Sequence, residues 1–312
     1  MTTTRITLAI ETTCDDTSIA IMKGRQLLSL VTKTTAKQHA SYGGIVPEIA
    51  ARGHEQNLSL CFLKAIKQAK IYVHKITKVI YASEPGMPGS LHVGKIWAQS
   101  IAYLLNAELI PVNHIIAHLF AFAIDRKEPI KYPFIGLVVS GGHTIIYLFK
   151  NINEYQILTK TADDAAGETL DKIGRTLGFK YPGGIAIDHN YQSRNANVKL
   201  INHADPTNDF SFSGIKTKIL SDYQKNKNTK ITLASSALKW IVDDILIKLN
   251  FYVKKYHVTN IVVGGGVSAN RLLRKLLTQK YRRVHLPLLP YCQDNAAMIG
   301  AYGYLASIKT LR

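Results

Sequence analysis

The sequence predicts an α/β protein built as two similar lobes, and three observations carry that reading. The first is size: 312 residues, 46% of them hydrophobic, exceed what one compact core usually holds and suit two. The second is a strand, polar turn, strand pattern that occurs twice, at 5–22 and at 134–149. The third is an apolar strand running into glycines and then into a helical repeat, at 260–277.

In chain order, Ile6 to Ile10 reads as a strand, Glu11-Thr12-Thr13-Cys14-Asp15-Asp16-Thr17 as a polar turn, and Ser18 to Met22 as the returning strand. The second copy runs from Phe134 to Ser140, turns through Gly141-Gly142-His143-Thr144 and returns over Ile145 to Phe149. The likeness is one of architecture more than of identity, which marks a weak internal repeat. Between the copies lies Asp125-Arg126-Lys127-Glu128-Pro129-Ile130-Lys131-Tyr132-Pro133, a charged, proline-bearing connection. It places an N-terminal lobe at 1–124 and a C-terminal lobe at 125–312, with the final helix expected to pack back on the N-terminal lobe.

Asn260 to Val263 is a short strand, Gly264-Gly265-Gly266-Val267-Ser268-Ala269-Asn270 a glycine turn, and Arg271 to Leu277 a helical pattern. Glycines let a backbone approach a phosphate or base, and a helix start offers free N–H groups. Neither a P-loop nor a G-x-G-x-x-G is spelled out, so a plain tight turn stays open. Asp163 to Lys172 reads as the acidic start of a helix that runs to Leu177 and stops at Gly178. Asp164, Glu168 and Asp171 then share a face, where they need a cation, ribose hydroxyls or lysine partners. Tyr181-Pro182-Gly183-Gly184-Ile185-Ala186-Ile187-Asp188 is another close-approach glycine pair with an acid behind it. The stretches 190–209 and 221–230 read as polar loops without chemistry, and Asp294 as an N-cap before an apolar helix.

The charge balance, 39 Lys plus Arg against 21 Asp plus Glu, gives +18 and points to a polyanion, nucleic acid being the natural partner. Scattered lysines in a Lys-rich composition are the alternative. Met1 to Thr13 holds one positive charge and an apolar run too short for a signal segment or a membrane span, so a cytoplasmic protein without a membrane role is expected. Cys14, Cys61 and Cys292 stand far apart, with no C-x-x-C to encode a disulfide framework or a zinc site.

Asn113-His114-Ile115-Ile116-Ala117-His118 is the most informative run. Two imidazoles four apart fall on one helix face, where both can grip a metal. In H-E-x-x-H peptidases a glutamate general base follows the first histidine; here that residue is Ile115, so metal binding is supported and peptidase chemistry is not. Packing histidines on a partly buried helix are the simpler alternative.

Nine segments, in this order, decide the matter: Ile10 to Thr17, His39 to Glu48, Asn113 to His118, Leu137 to Thr144, Asp163 to Lys172, Tyr181 to Gly184, Phe210 to Thr217, Gly264 to Arg271 and Asp294 to Met298. Together they closely resemble the bacterial and organellar tRNA adenosine threonylcarbamoyltransferases, of the actin, sugar-kinase and heat-shock-ATPase superfamily, over nearly the whole chain. The resemblance implies two actin-like, ribonuclease H-like lobes, each a mixed sheet flanked by helices, with a nucleotide cleft between them. It implies one divalent metal, usually taken as ferrous iron, on His114, His118 and Asp294, a ligand set that suits such an ion. It also implies a substrate, threonylcarbamoyl-adenylate, contacting Val138, Val139, Ser140, Gly141, Gly142, Asp171, Gly184, Asp188 and Asn270. Asp171 and Asp188 can accept from ribose hydroxyls, and Asn270 can pair through both amide ends.

The implied reaction is acyl transfer to the exocyclic amine of the adenosine just 3′ of the anticodon, in tRNAs reading codons that begin with A, with release of AMP. Glu11 is the candidate catalytic group, as proton acceptor or as support for a metal ligand, although a turn carboxylate can equally cap its neighbours. His39 and His143 receive no role. Implied partners are tRNA and, in bacteria, a dimerising paralogue and a small ATPase. Three sites, four residues in all, depart from the family pattern. Relatives often carry glutamate and glycine at the positions of Ile116 and Ala117, glycine at that of Glu84, and proline at that of Ile185. A carboxylate at Glu84 would repel phosphate, so this loop is expected to stay off the adenylate. The rival reading, an actin-like ATPase or small-molecule kinase, explains the hairpins and glycine turns but has no use for His114, His118 and Asp294 together.

Overall fold

The computed structural model describes residues 6–39, 42, 45–126, 128–225 and 228–309. Arg5, Lys127 and, within the His39 to Glu48 segment, Ala40, Ser41, Gly43 and Gly44 lie outside the described residues. The chain divides into two compact units, Met1–Ile130 with Pro287–Arg312, and Lys131–Leu286. The division thus falls inside the charged connection, and 287–312 groups with the first unit.

In the first unit Ile6–Glu11 (β1) and Asp16–Lys23 (β2) form the expected hairpin, in register from Ile6↔Lys23 to Glu11↔Ser18. Gln26–Thr34 (β3) adds antiparallel to β2 and is followed by the short helix Ala36–His39 (α1) and the long helix Pro47–Ala69 (α2). Ile76–Glu84 (β4) then pairs parallel to β1, which demands a crossover, and Pro88–Leu105 (α3) makes the next one to Glu108–Asn113 (β5). His114–Phe120 (α4) begins where β5 ends.

The second unit repeats this plan. Phe134–Val139 (β6), Thr144–Phe149 (β7) and Tyr155–Lys160 (β8) are antiparallel neighbours. Four helices follow: Ala166–Thr176 (α5), Gly183–Asn190 (α6), Ser213–Gln224 (α7) and Lys230–Lys255 (α8). Asn260–Gly264 (β9) pairs parallel to β6, and Arg271–Lys280 (α9) leads to Val284–His285 (β10), parallel to β9. The sheet orders are β3-β2-β1-β4-β5 and β8-β7-β6-β9-β10, with the same strand senses throughout. The weak repeat seen in the sequence is a duplicated topology.

Both faces of each sheet are covered, so β1 is buried from Thr7 onward and β6 at every position. On β1, Leu8 and Ile10 pack with Leu58 and Phe62 of α2 and Ala98 of α3. Ala9 points the other way, against a layer of small residues, Ala117 of α4 and Ala297 and Ala301 of the last helix, Ala296–Lys309 (α10). That helix lies on β1, β2 and β4, so the first sheet is completed by residues from far along the chain.

Residues 191–209 have no regular structure beyond one 3-10 turn, Ser193–Asn195, yet they are fastened along a single stripe of α8. Ser236 Oγ accepts from Val198 N at 3.1 Å, Trp240 Nε1 donates to Ile201 O at 2.8 Å, Asp244 Oδ1 meets His203 Nδ1 at 3.1 Å, and Lys248 Nζ donates to Asn208 O at 2.9 Å. Four residues at four-residue spacing share one helix face, so each clasps the next part of the loop. The loop ends at Ser211 and Ser213, whose hydroxyls donate to Asp163 Oδ2 at 2.6 and 2.8 Å, with Phe212 N on Oδ1 at 2.8 Å. These bonds hold the Asp163 carboxyl below the usual carboxylate range against the opposing effect of burial. Among the described residues no helix is long and apolar enough to cross a membrane.

Candidate active site

α4 owes its start to Asn113, whose Oδ1 accepts from Ile116 N at 3.0 Å, and every residue of this seven-residue helix is buried. The cap fixes the helix phase, and one turn carries His114 and His118 to the same face. Their rings stand 4.8 Å apart at 78°. The third group comes from the turn before α10. Sequence spacing made Asp294 a cap, but the cap is Asn295, whose Oδ1 accepts from Met298 N at 3.0 Å. Asp294 instead faces the histidines, Oδ1 lying 3.2 Å from His118 Nε2 and 3.7 Å from His114 Nε2. One ligand atom from each of the three lies within 4.8 Å of the others. Two imidazole nitrogens and one carboxylate oxygen fit a first-row divalent metal, and the Asp294 side chain, 33% exposed, leaves the remaining coordination positions an approach from solvent.

Glu11 ends β1 directly behind this group and is 1% exposed. Its Oε2 is 2.8 Å from His114 Nδ1, and its Oε1 accepts from Thr13 N at 2.6 Å, while Thr13 Oγ1 stands 3.2 Å from the same Nδ1. A carboxylate on Nδ1 fixes the tautomer that leaves Nε2 free for a metal. Burial, the largest influence on His114, works against its charged form, but the charges of Glu11 and then Asp294 and the Glu11 hydrogen bond outweigh it and push the pKa up to about 9. A metal arriving at His114 therefore displaces a proton.

The rest of the β1–β2 turn is crowded, with Thr12 and Thr13 buried and Cys14, Asp15 and Asp16 half-buried. Asp16 is pushed up to about 6, first by burial and then, against a Thr34 hydrogen bond, by the charges of Asp15, Asp294 and Glu11. Burial, then Asp15 and Asp294, raise the Cys14 thiol far out of the reactive range. His54 of α2 pins the turn: Nδ1 is 2.8 Å from Thr17 Oγ1 and Nε2 2.9 Å from Cys14 O, and burial lowers its pKa. Sequence reasoning missed both His54 and Thr13. A lone histidine in a long helix carries no signal, whereas Thr13, two residues from Glu11 in the same turn, could have been suspected. His39 is likewise structural, bonded to Thr35 Oγ1 and Val46 N. Glu84 is exposed at the end of β4.

In the second unit the β6–β7 turn closes with Ser140 N on His143 O at 2.8 Å and His143 N on Ser140 Oγ at 3.0 Å. Val138 and Val139 bury their side chains completely, so only their main chain is left to face a ligand. Gly141 and Gly142 are exposed, and a Cβ on either would meet open space. Gly265 differs: its φ is +91° and a Cβ would fall 2.3 Å from Val139 O, so only glycine lets the β9 turn rest on the end of β6.

α5 begins at Ala166, after Asp163 and Asp164, so the three acids expected on one helix face are split between a turn and the helix. Lysines do the compensating: Lys172 and Lys216 reach Asp164 at 2.8 and 2.6 Å, and Lys172 reaches Glu168 at 2.8 Å. Asp171 accepts from Gly184 N at 2.7 Å, and burial raises its pKa against that bond. The close approach predicted for the glycine pair is made by another helix, since a Cβ on Gly174 of α5 would lie 2.6 Å from Gly183 Cα. Asp188 and Asn270 meet each other, Nδ2 to Oδ1 at 2.9 Å, and Arg271 adds Nε to Asp188 Oδ2 at 3.2 Å. The other end of Asn270 caps α9 through Leu273 N at 2.9 Å. Both amide ends of Asn270 are thus engaged within the chain.

Two sheets of one topology, each flanked by helices, define the two-lobed actin-like, ribonuclease H-like class. Solved structures agree on the fold: HypF of T. kodakarensis has a TM-score of 0.64 at 13% identity, covering 98% of this chain and 48% of that one. Component A of the Acidaminococcus fermentans (R)-2-hydroxyglutaryl-CoA dehydratase has 0.58 at 13% identity, covering 99% and 100%. A profile of tRNA N6-adenosine threonylcarbamoyltransferases matches residues 26–301. Proteins of that description from Ureaplasma parvum serovar 3 and Thermosipho africanus are 43% identical over 302 residues and 42% over 311, covering 95% and 96% of this chain and 94% and 93% of theirs. The Mycoplasma pneumoniae protein is 39% identical over 309 residues, covering 96% of each. The chain belongs to the tRNA N6-adenosine threonylcarbamoyltransferase family.

Proposed function

We propose that this transferase moves the threonylcarbamoyl group of threonylcarbamoyl-adenylate to the exocyclic amine of the adenosine just 3′ of the anticodon, in tRNAs reading codons that begin with A. The amine nitrogen bonds to the carbamoyl carbon, the bond from that carbon to the phosphate oxygen breaks, AMP leaves with the electron pair, and the proton lost by the amine passes to solvent. The observation that carries the reading is the convergence of His114, His118 and Asp294 with Glu11 on His114 Nδ1. These three residues would hold ferrous iron, which when bound supplies a Lewis acid for charge on the oxygens of the mixed anhydride. Glu11, buried and bonded to His114 and Thr13, orients the ligand instead of taking a proton from substrate.

For the donor's nucleotide part, the main chain from Val138 to Gly142 lies beside an open turn, and Asp171 and Asp188, which already accept from Gly184 N and Asn270 Nδ2, keep further oxygen lone pairs for ribose hydroxyls. A kinase or ATPase reading leaves the metal ligands without a purpose. The protein works in the cytoplasm, with a dimerising paralogue and a small ATPase as further partners.

The test is transfer of labelled threonylcarbamoyl from its adenylate to tRNA by anaerobically purified protein with those partners, together with metal analysis. Label in tRNA, matched by AMP, is expected with iron present. Nucleotide hydrolysis without acyl transfer under any metal would sink the reading.

A further inference from the structure

Between Asp244 and Asp294 the chain holds no carboxylate at all, although it contains 21 elsewhere. The same stretch carries Arg271, Arg274, Arg282 and Arg283, four of the chain's eleven arginines. A Lys-rich composition explains scattered lysines; it does not explain arginines gathered within thirteen positions.

The fold turns this run into a surface. Leu273 and Leu277 bury one face of α9 and leave Arg271 and Lys275 on the other, and the ten residues of the helix span about 15 Å. Arg282 and Arg283 continue from its far end, both exposed, and the carbonyl of Arg283 accepts from Ile261 N at 3.0 Å, so they ride on the edge of the sheet and not on a loose loop. Lys254 and Lys255, exposed at the end of α8, arrive beside the start of the same strand, β9. Among the described residues Lys275, Arg282 and Arg283 make no ion pair. At its other end the stripe starts from Arg271, which is bonded to Asp188.

We propose that this stripe, Arg271, Lys275, Arg282 and Arg283 with Lys254 and Lys255, takes the phosphate backbone of the tRNA substrate. The inference rests on the function proposed above and adds to it the surface that receives the acceptor. Arginine forks match phosphate oxygens in pairs, and unpaired cations on rigid elements lose little on meeting a polyanion. Because such contacts release counterions, affinity should fall steeply with salt.

The test uses the full chain with its transfer partners. Lys275→Gln, Arg282→Gln and Arg283→Gln are combined, and Arg271 is left intact because it holds Asp188. Binding of tRNA is measured by fluorescence anisotropy across a salt series, beside a control that removes equal charge from the first unit, Lys64→Gln, Lys67→Gln and Lys95→Gln. The stripe variant should lose about tenfold or more in affinity at moderate salt, its log–log salt slope flattening by about two to three, while the control stays close to wild type. Thermal unfolding and AMP binding should not move, and the Arg282→Lys, Arg283→Lys pair should retain most of the affinity. Equal losses in stripe variant and control, or an unchanged slope in the stripe variant, would overturn the surface while leaving the reaction standing. Wild-type protein that modifies no tRNA would instead remove the function on which it rests.

Discussion

The β1–β2 turn and the β6–β7 turn occupy equivalent places in two sheets of one strand order, but the first holds buried and half-buried acids and the second exposed glycines. In the first, Glu11 is committed to His114, and burial and the neighbouring carboxylates raise the proton affinity of Asp16. In the second, the turn closes on itself through Ser140 and His143, and Gly141 and Gly142 face open space. One scaffold occurs twice, and the residues between the strands divide the work: one turn braces the His–Asp group, the other keeps its main chain bare.

The largest effect expected from breaking this contrast is at the metal group. Asp294→Ala should abolish stable metal binding and lower transfer by more than ~100-fold, while Asn295→Ala, one residue on, should cost about 1 kcal/mol in unfolding and leave metal binding in place. Metal analysis and denaturation of the two side by side check this; equal metal loss in both would mean the helix start, not the carboxylate, matters.

Next comes Gly265→Ala, expected to destabilise by about 2–4 kcal/mol because both its φ and its contact with Val139 O exclude a side chain. Chemical denaturation decides it. Glu11→Gln keeps shape and loses charge, so metal affinity should weaken about 10–100-fold with the fold intact; titration of the metal-free protein would refute the bracing role if affinity held.

A smaller effect concerns pH. Asp16 has its folded pKa raised, so the folded state holds a proton that the unfolded chain has already lost between its ordinary value near 3.8 and about 6. Its contribution is therefore best at low pH and is lost as pH rises through 6. Asp16→Asn should flatten this part of the stability profile of metal-free protein, and thermal scans from pH 4 to 7 would show it. Smallest of all, Gly141→Ala should shift stability by no more than about 0.5 kcal/mol, any effect appearing in the KM for the adenylate. Were it to unfold the protein, the glycines of this turn would be architectural after all.

The hairpins were legible because β1, β2, β6 and β7 each carry an apolar run and are joined by polar turns, a local pattern. The histidine pair was legible because four-residue spacing is a property of one helix. What failed to show was set by distant chain. Asn295 and Asp294 are neighbours with equal capping ability, and only the packing of Ala296 N on Ser18 Oγ at 3.0 Å and the position of α4 decide which one caps. The start of α5 slid past Asp163 because that residue is claimed by Ser211, Phe212 and Ser213, some fifty positions away. That Asp188 and Asn270, both expected as substrate contacts, also bond to each other across eighty-two residues is likewise invisible in the sequence.

The place of α10 has a consequence for the order in which a nascent chain matures. Lys131–Leu286 is one unbroken stretch and has all its strands once residue 286 is made. The first unit, although synthesised first, must wait with Ala9, Ala20 and Ile80 uncovered until 296–301 emerge. Asp294 cannot join His114 and His118 any earlier, so during synthesis the chain passes through a long interval in which the turns of the second unit exist and the His–Asp group does not.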